Sequence, residues 1–435
     1  MKRIVVIGAG FGGLQATVAL AKLCQRAPDM EILLISDENF FMFTPLLPQI
    51  VSSYIDPRHI VQAVRDIRGR RNYRFLRERV DSIDVAERTV RTLSGPIHYD
   101  YLIVAVGSQT EYFKTPGARE NSMDLKSLED GIALRERILD YCEHADHTTD
   151  PIERKRLMTF AVVGGGYTGV ELITEMRDFL FGYVVGRYRG IAREDIRLVL
   201  IEATAHVLNG VDPLLRPHAL ARLHKEGIEV RVSAKVTRVF EGGLEMNGEE
   251  DLAAGTVIWT AGVRAHTLVE ALPGPHDRIG RASVNEHLQL ENHPEVFVIG
   301  DSASSALAPD APRVAPVAIT QGTIAARNIV HMEHGGLLES YAYVSKGMLV
   351  SLGMNDAVVS VGGLRIHGFF AWLFWNAVHL FKLVGFKKQV QVALDWGLGT
   401  LFPRDAVIIR WQRVCKLCRA ERAKSAPRTE PVPVR

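Results

Sequence analysis

The chain has 435 residues, 47% of them hydrophobic and 23% charged, with 52 basic against 50 acidic side chains. That length exceeds what one core usually serves and predicts two or three domains, while the near balance of charge excludes a bulk attraction to nucleic acid. Four scattered cysteines, Cys24, Cys142, Cys415 and Cys418, are too few for a disulfide framework and favour a reducing compartment.

The first element is an apolar run at residues 4–7, directly after Met-Lys-Arg. It is too short for a signal-peptide core, and no Arg- and Ser-rich transit segment precedes it. The run enters Gly8-Ala9-Gly10-Phe11-Gly12-Gly13 and then a helical pattern to Leu23, and a second strand at residues 32–35 leads to Asp37. Strand, glycine loop, helix and acidic residue in that order predict a Rossmann unit. Gly8 makes the tight turn, Gly10 lets the backbone approach a pyrophosphate, and Gly12 or Gly13 lets the helix sit close to the strand. The pyrophosphate lies on the helix N-terminus, and Asp37 is placed to bond a ribose. Residues 101–104, followed by Ala105-Val106-Gly107, have the form of a strand closing over the cofactor.

A polar stretch at residues 141–156 separates this unit from a second copy and predicts the crossing between domains. There Gly164-Gly165-Gly166-Tyr167-Thr168-Gly169 follows a strand at residues 160–163, and the strand at 198–201 delivers Glu202. The long spacing comes from residues 177–195, which extend the helix and loop. A carboxylate at Glu202 bonds a free 2′-hydroxyl and repels a 2′-phosphate, so the second unit is expected to take NADH. The bland reading is a surface glutamate at a strand end. At residues 296–301 a strand runs into Gly300-Asp301, which puts a carboxylate at the ligand edge of the sheet or simply caps the next helix.

From about Tyr341 the chain becomes aromatic and apolar with basic punctuation. Residues 369–386 contain Asn376, His379 and Lys382 and so fit a spanning helix poorly. Further on, Val407, Trp411, Val414 and Cys418 fall on one helical stripe opposite Arg413, Lys416 and Arg419, and residues 404–435 hold nine basic and three acidic side chains. At about 1 kcal/mol per basic group near an anionic leaflet, this module is expected to lie in a membrane surface rather than cross it, and a chain cut near Phe402 is expected to lose vesicle binding. The alternative is that residues 369–383 form a buried core helix or a dimer contact. Cys415 and Cys418 have metal or redox spacing but lack a second Cys or His pair.

On these residues the chain resembles the pyridine-nucleotide flavoproteins, and more narrowly the type II NADH dehydrogenases, single-subunit NADH:quinone oxidoreductases. The resemblance is carried by Gly8 to Gly13, Phe43-Thr44-Pro45-Leu46-Leu47, Gly164 to Glu171, Trp259-Thr260-Ala261-Gly262-Val263, Gly300-Asp301 and, most specifically, Gly368-Phe369-Phe370-Ala371-Trp372-Leu373-Phe374-Trp375 with His379 and Trp396. It implies an α/β fold of two Rossmann-like dinucleotide-binding domains, glutathione-reductase-like, with a C-terminal membrane-associated helical module. The expected limits are 1–150 and 276–340 for the FAD-binding domain, 151–275 for the NADH-binding domain and 341–435 for the module.

The resemblance also implies FAD and NADH as cofactors, with NADH passing hydride to the flavin and a quinone then taking two electrons, with no metal. FAD would be held by Gly8, Gly10, Gly12, Gly13, Asp37, Pro45, Gly107 and Asp301, with Asp301 on the ribityl side and Pro45 near the isoalloxazine. NADH would be held by Gly164, Gly166, Gly169, Glu202 and Gly262. Glu171 would sit at the nicotinamide–flavin junction in proton or quinone coupling, where its bland reading is a helix-dipole partner. Gln321 remains from a glutamine-rich acceptor motif in which Pro316 and Thr320 stand at positions usually held by glutamine. The expected location is the cytoplasmic face of the cell membrane, as a peripheral protein, with a homodimer left open. A disulfide or sulfide:quinone reductase would need cysteines near the flavin, which this chain does not offer in sequence. A soluble NADH reductase of a small redox protein, and an NADH-binding sensor with weak turnover, stay open.

Overall fold

In the computed structural model, which describes residues 2–26, 29–67, 73–248 and 250–408, the first apolar run becomes the strand Lys2–Ile7 inside an eight-stranded sheet. It is paired in parallel with Met30–Ser36 on one side and Tyr101–Val104 on the other. Its last four residues are buried, and a strand buried on both faces reads as a continuous apolar run rather than an alternating one. The second copy builds a four-stranded parallel sheet from Glu229–Arg231, Arg197–Ile201, Thr159–Val163 and Thr256–Trp259. The duplication extends further than the glycine loops. Each unit also carries a three-stranded antiparallel meander, Val80–Asp84 to Gly95–His98 in the first and Val236–Phe240 to Glu250–Ala253 in the second.

The chain changes sheets elsewhere than the polar stretch. Ser108–Thr110 pairs antiparallel with Val263–Ala265, and Met123 already bridges Ile258 beside the second sheet. The outward crossing therefore lies some way before residue 150, and the return slightly before 275, since Ala265, Val269 and Leu272 join the core of the first sheet. Residues 141–156 are mostly helical, split between Leu128–His147 and Pro151–Leu157. A capping box between Ser127 and Asp130 starts the longer helix, which satisfies two otherwise orphaned amides. Leu134, Ile138 and Cys142 drive its inner face into the core with Phe160 and Ile50. Only the outward face is polar, and composition alone reads that face as a linker.

The third module is an antiparallel sheet, Met348–Ser351, Ala357–Val361 and Leu364–His367, followed by the helices Phe369–Lys382 and Phe386–Leu401. Gly385, at φ +91°, breaks the apolar run between them, a conformation that favours glycine. Among the described residues no helix is long and apolar enough to cross a membrane. Trp375 and Ala371 point into the core, whereas Phe370, Phe381, Phe386 and Leu401 are each at least 75% exposed. The exposed apolar surface therefore lies on this helix pair, before the basic stripe. Of that stripe, Trp411, Val414 and Cys418 lie outside the described residues, as does Cys415.

Candidate functional site

The two glycine loops superpose in their local chemistry. Gly8 and Gly164 have φ +97° and +112°, and a Cβ there would stand 2.4 Å from the Ala105 carbonyl oxygen and 2.6 Å from Ala261 backbone atoms. A Cβ on Gly13 would stand 1.9 Å from the Gly8 oxygen, and one on Gly169 would stand 1.9 Å from the Gly164 oxygen. These four glycines let helix, loop and strand touch. Gly10 and Gly166 differ, because a Cβ on either would meet no protein atom within 4 Å. Each is the N-cap of its helix, and neither helix has a side-chain cap. Amides left without a capping side chain, behind an open glycine, fit a pyrophosphate. Gly12 serves packing: a Cβ would press on Ile299, and Gly322 of the helix Ala315–His334 approaches its backbone, with 2.4 Å between a Gly322 Cβ and the Gly12 oxygen.

Around the first loop, Asp37 is exposed just past its strand and takes the Glu38 amide at 3.1 Å, leaving acceptor capacity for a hydroxyl. Asp301 accepts from Ser108 Oγ at 2.8 Å, and Lys126 Nζ donates to the same hydroxyl at 3.1 Å. Gly107 has φ +72° and its carbonyl accepts from Ser302 Oγ at 3.0 Å, so the ends of two neighbouring strands are tied together. Pro45 sits half-buried in a short turn, Thr44–Leu46, beside the buried Phe43. Around the second loop, Glu202 accepts from the Gly165 amide at 2.7 Å and from the Thr204 amide at 2.8 Å. It lines a cleft of about 170 Å³ with Gly164, Gly166, Thr260 and Ala261.

Two expected site residues are placed differently. Gly262 does not line that cleft. Its missing side chain admits the Phe113 ring, which a Cβ would meet at 2.4 Å, and its carbonyl takes the Glu111 amide at the interdomain crossing. Gln321 is 2% exposed, and its Oε1 accepts from the Gly300 amide at 2.6 Å. Where a catalytic Gln321 is expected, its amide oxygen is turned inward onto the turn that carries Asp301. Thr320 bonds back to the Pro316 carbonyl and receives Lys346 Nζ at 3.3 Å.

Glu171, on the helix Tyr167–Phe179, is where the third module enters. Its Oε1 accepts from the Ser351 amide at 2.9 Å and from Trp375 Nε1 at 3.2 Å. Burial pushes this carboxyl up to about 8, and these two donors only partly oppose the shift. His379 stacks on Trp375 with centroids 4.0 Å apart and is pushed down to about 4 by burial, so it is a neutral imidazole at physiological pH. Phe43 meets His379 edge-on. Thus the Pro45 turn, Glu171 and the Trp375–His379 stack converge from three parts of the chain. Sequence reading missed Glu175, Gln49, Ser52 and Arg404, which form a buried polar cluster one helical turn from Glu171. The signal was the i, i+4 spacing of Glu171 and Glu175, which reads as a solvated helix face unless both turns are known to be covered.

Comparison with known proteins agrees with this architecture. The pyridine nucleotide-disulphide oxidoreductase profile matches residues 2–322, and the NDH2 C-terminal domain matches residues 345–405. The type II NADH:quinone oxidoreductase NdhA of Mycobacterium tuberculosis is 35% identical over 415 residues, covering 91% of this chain and 87% of the relative. The type II NADH:quinone oxidoreductase of Staphylococcus epidermidis is 29% identical, covering 84% and 91%. NDH2 from Plasmodium falciparum, solved in complex with NADH, shares the fold with a TM-score of 0.85 at 20% identity over 93% of this chain and 99% of that one. Two glycine-loop units joined by a paired crossing define an FAD- and NAD-dependent oxidoreductase of the pyridine nucleotide-disulphide class. With the NDH2 C-terminal domain added, the chain belongs to the type II NADH:quinone oxidoreductases.

Proposed function

We propose that this chain oxidises NADH and passes two electrons, through FAD, to a quinone at a membrane surface. The observation that carries the reading is the convergence of Glu171, the Trp375–His379 stack and the Pro45 turn beside an exposed apolar helix pair. FAD, when bound, would supply the two-electron redox chemistry that links NADH to the acceptor. Gly10, at the open end of its helix, would hold it by its pyrophosphate, with Gly8 and Gly13 closing the loop behind; Asp37 would hold its ribose, and Gly107 and Asp301 its ribityl side. Gly166 would likewise hold NADH, with Gly164 and Gly169 shaping the loop behind it, and Glu202 is already oriented by the Gly165 and Thr204 amides to take its ribose hydroxyls. Quinone reduction consumes protons, and Glu171 holds one while half-buried against Ser351 and Trp375. The test is sequential mixing without oxygen, first with NADH and then with a soluble quinone analogue. Loss and fast recovery of the flavin absorbance are expected, and loss without recovery would reject the quinone.

Glu202→Ala is expected to raise the KM for NADH about tenfold, the loss of roughly one charge-assisted hydrogen bond. It should narrow the preference over NADPH, because the repulsion of a 2′-phosphate goes with the carboxylate. Steady-state kinetics with both nucleotides checks this.

The same reading puts the helices Phe369–Lys382 and Phe386–Leu401 in the bilayer interface, on the face where cytoplasmic NADH is available. Lys382 and Lys387 lie exposed between the exposed phenylalanines, an arrangement suited to anionic headgroups. Replacing Phe370, Phe381 and Phe386 together with serine should weaken co-sedimentation with phosphatidylglycerol vesicles by more than about tenfold, since each buried ring contributes about 1.5–3 kcal/mol. Retained binding with a dimer that falls apart would instead assign the face to a second copy of the chain.

A further inference from the structure

The helix Tyr167–Phe179 carries a second buried carboxylate that the electron path does not use. Glu175 is 4% exposed and does not line the cleft at the N-terminal end of that helix. Its Oε2 accepts from Ser52 Oγ at 2.7 Å and its Oε1 from Gln49 Nε2 at 3.3 Å. Its counter-ion comes from far along the chain: the Arg404 guanidinium, itself 9% exposed, stands 3.8 Å away. Arg404 also donates to the Ser52 carbonyl at 3.2 Å and lies 4.6 Å over the Tyr54 ring. Gln49 is fixed in turn by Trp396 Nε1 at 2.8 Å. A residue just past the last apolar helix is thus threaded between the first and second domains, and desolvating a guanidinium is costly unless it has a specific partner.

Residues i and i+4 share a helix face about 6 Å apart. The groups around Glu171 are the Ser351 amide, the Trp375 indole and, beyond it, the neutral His379 with Lys382 near its far side. Glu175 is the charge that acts on it. Around Glu175 stand Arg404 and Asp178 as charges and Tyr54 as a titratable neighbour. Asp178 is taken up by the Met354 amide at 2.6 Å and by Arg177 at 3.2 Å. We propose that Glu175 and Arg404 are positioning residues for the quinone step: Arg404 keeps Glu175 anionic, and the Glu175 anion keeps the proton on Glu171. This rests on the reading of Glu171 as the proton-holding group. Burial pushes the Glu175 carboxyl up and Asp178 adds to that, while Arg404 and the Ser52 and Gln49 donors oppose it; without Arg404 the main opposition is gone, Glu175 takes up a proton, and Glu171 loses the like charge beside it.

The experiment is a pH titration of the protonated-carboxyl infrared band in the full-length, flavin-loaded protein, with the Glu171 signal assigned by its loss in Glu171→Gln. Glu175→Gln and Arg404→Met should each lower the Glu171 midpoint by about one pH unit, the removal of one like charge a helical turn away. The double variant should shift it no further, and Arg404→Lys should keep the native midpoint. A midpoint unmoved in Glu175→Gln, or moved upward in Arg404→Met, overturns the proposal. If Glu175→Gln does not fold, the contrast between Arg404→Met and Arg404→Lys decides alone. A purely structural pair would lower the melting temperature and leave the midpoint in place. Midpoints that shift as stated, with quinone reduction unimpaired in Glu171→Gln, would keep the charge pair and remove the proton-donor reading.

Discussion

Glu171→Gln is expected to slow reoxidation by quinone by about a hundredfold or more, the usual worth of a placed proton donor, while leaving oxidation of NADH within about a factor of two of the native rate. The asymmetry follows from position. Glu171 faces Ser351 and Trp375 of the third module, whereas the cleft proposed for NADH is lined by Glu202, Gly166 and Thr260. The native pH profile should follow the same carboxyl. Since burial pushes it up to about 8, the group is protonated through neutrality, and the quinone step should fall as pH rises through about 8. In the glutamine variant that decline disappears.

Stability carries a matching signature. The folded value lies above the ordinary carboxylate value, so the folded protein keeps a proton that the unfolded chain gives up. The stabilisation is present in acid, and is lost as pH rises from the ordinary carboxylate range through about 8. Melting temperatures of the native protein and Glu171→Gln should therefore converge at low pH, with the variant gaining relative to the native protein as pH rises from the ordinary carboxylate range to about 8. A wild-type rate of quinone reduction at pH 7 in Glu171→Gln would end the proton-donor assignment.

What the sequence makes legible is the local grammar, and what it hides is contact between distant segments. The strand at residues 4–7, its loop and its helix are determined within one stretch of chain, because each step is fixed by neighbours: β-branched side chains, then glycine, then helical periodicity. The crossing is not local. Ser108–Thr110 finds Val263–Ala265 only through the tertiary fold, and a capped amphipathic helix presents to a sequence reader the same polar letters as a linker. Gln321 shows the same limit in the site: its place in a motif suggested contact with the acceptor, but its amide is used by Gly300. Gly262 likewise has its reason in Phe113, far away in sequence. Arg404 is the extreme case, a basic residue at the head of a basic tail that is taken into the core by Glu175 and Ser52.

The paired glycine loops allow a prediction in which fold and binding separate. Gly166 has φ −75° and ψ −170°, extended backbone that valine adopts without strain, and no protein atom stands where its Cβ would go. Gly166→Val should fold, retain FAD and melt near the native temperature. Its side chain would occupy the space from which a pyrophosphate reaches the helix amides, so the KM for NADH should rise by about a hundredfold, close to 3 kcal/mol. Three residues on, Gly169→Val places its Cβ against the Gly164 carbonyl at 1.9 Å, where backbone must move, and most of that protein should be insoluble. Gly10→Val and Gly13→Val should repeat the contrast for the flavin: a folded apoprotein in the first case and a misfolded chain in the second. Absorbance at the flavin band, melting curves and NADH kinetics on the four variants separate the outcomes. A Gly166→Val protein with native NADH affinity would mean that the nucleotide does not cross this helix end, and Glu202 would then lose its assigned ribose as well.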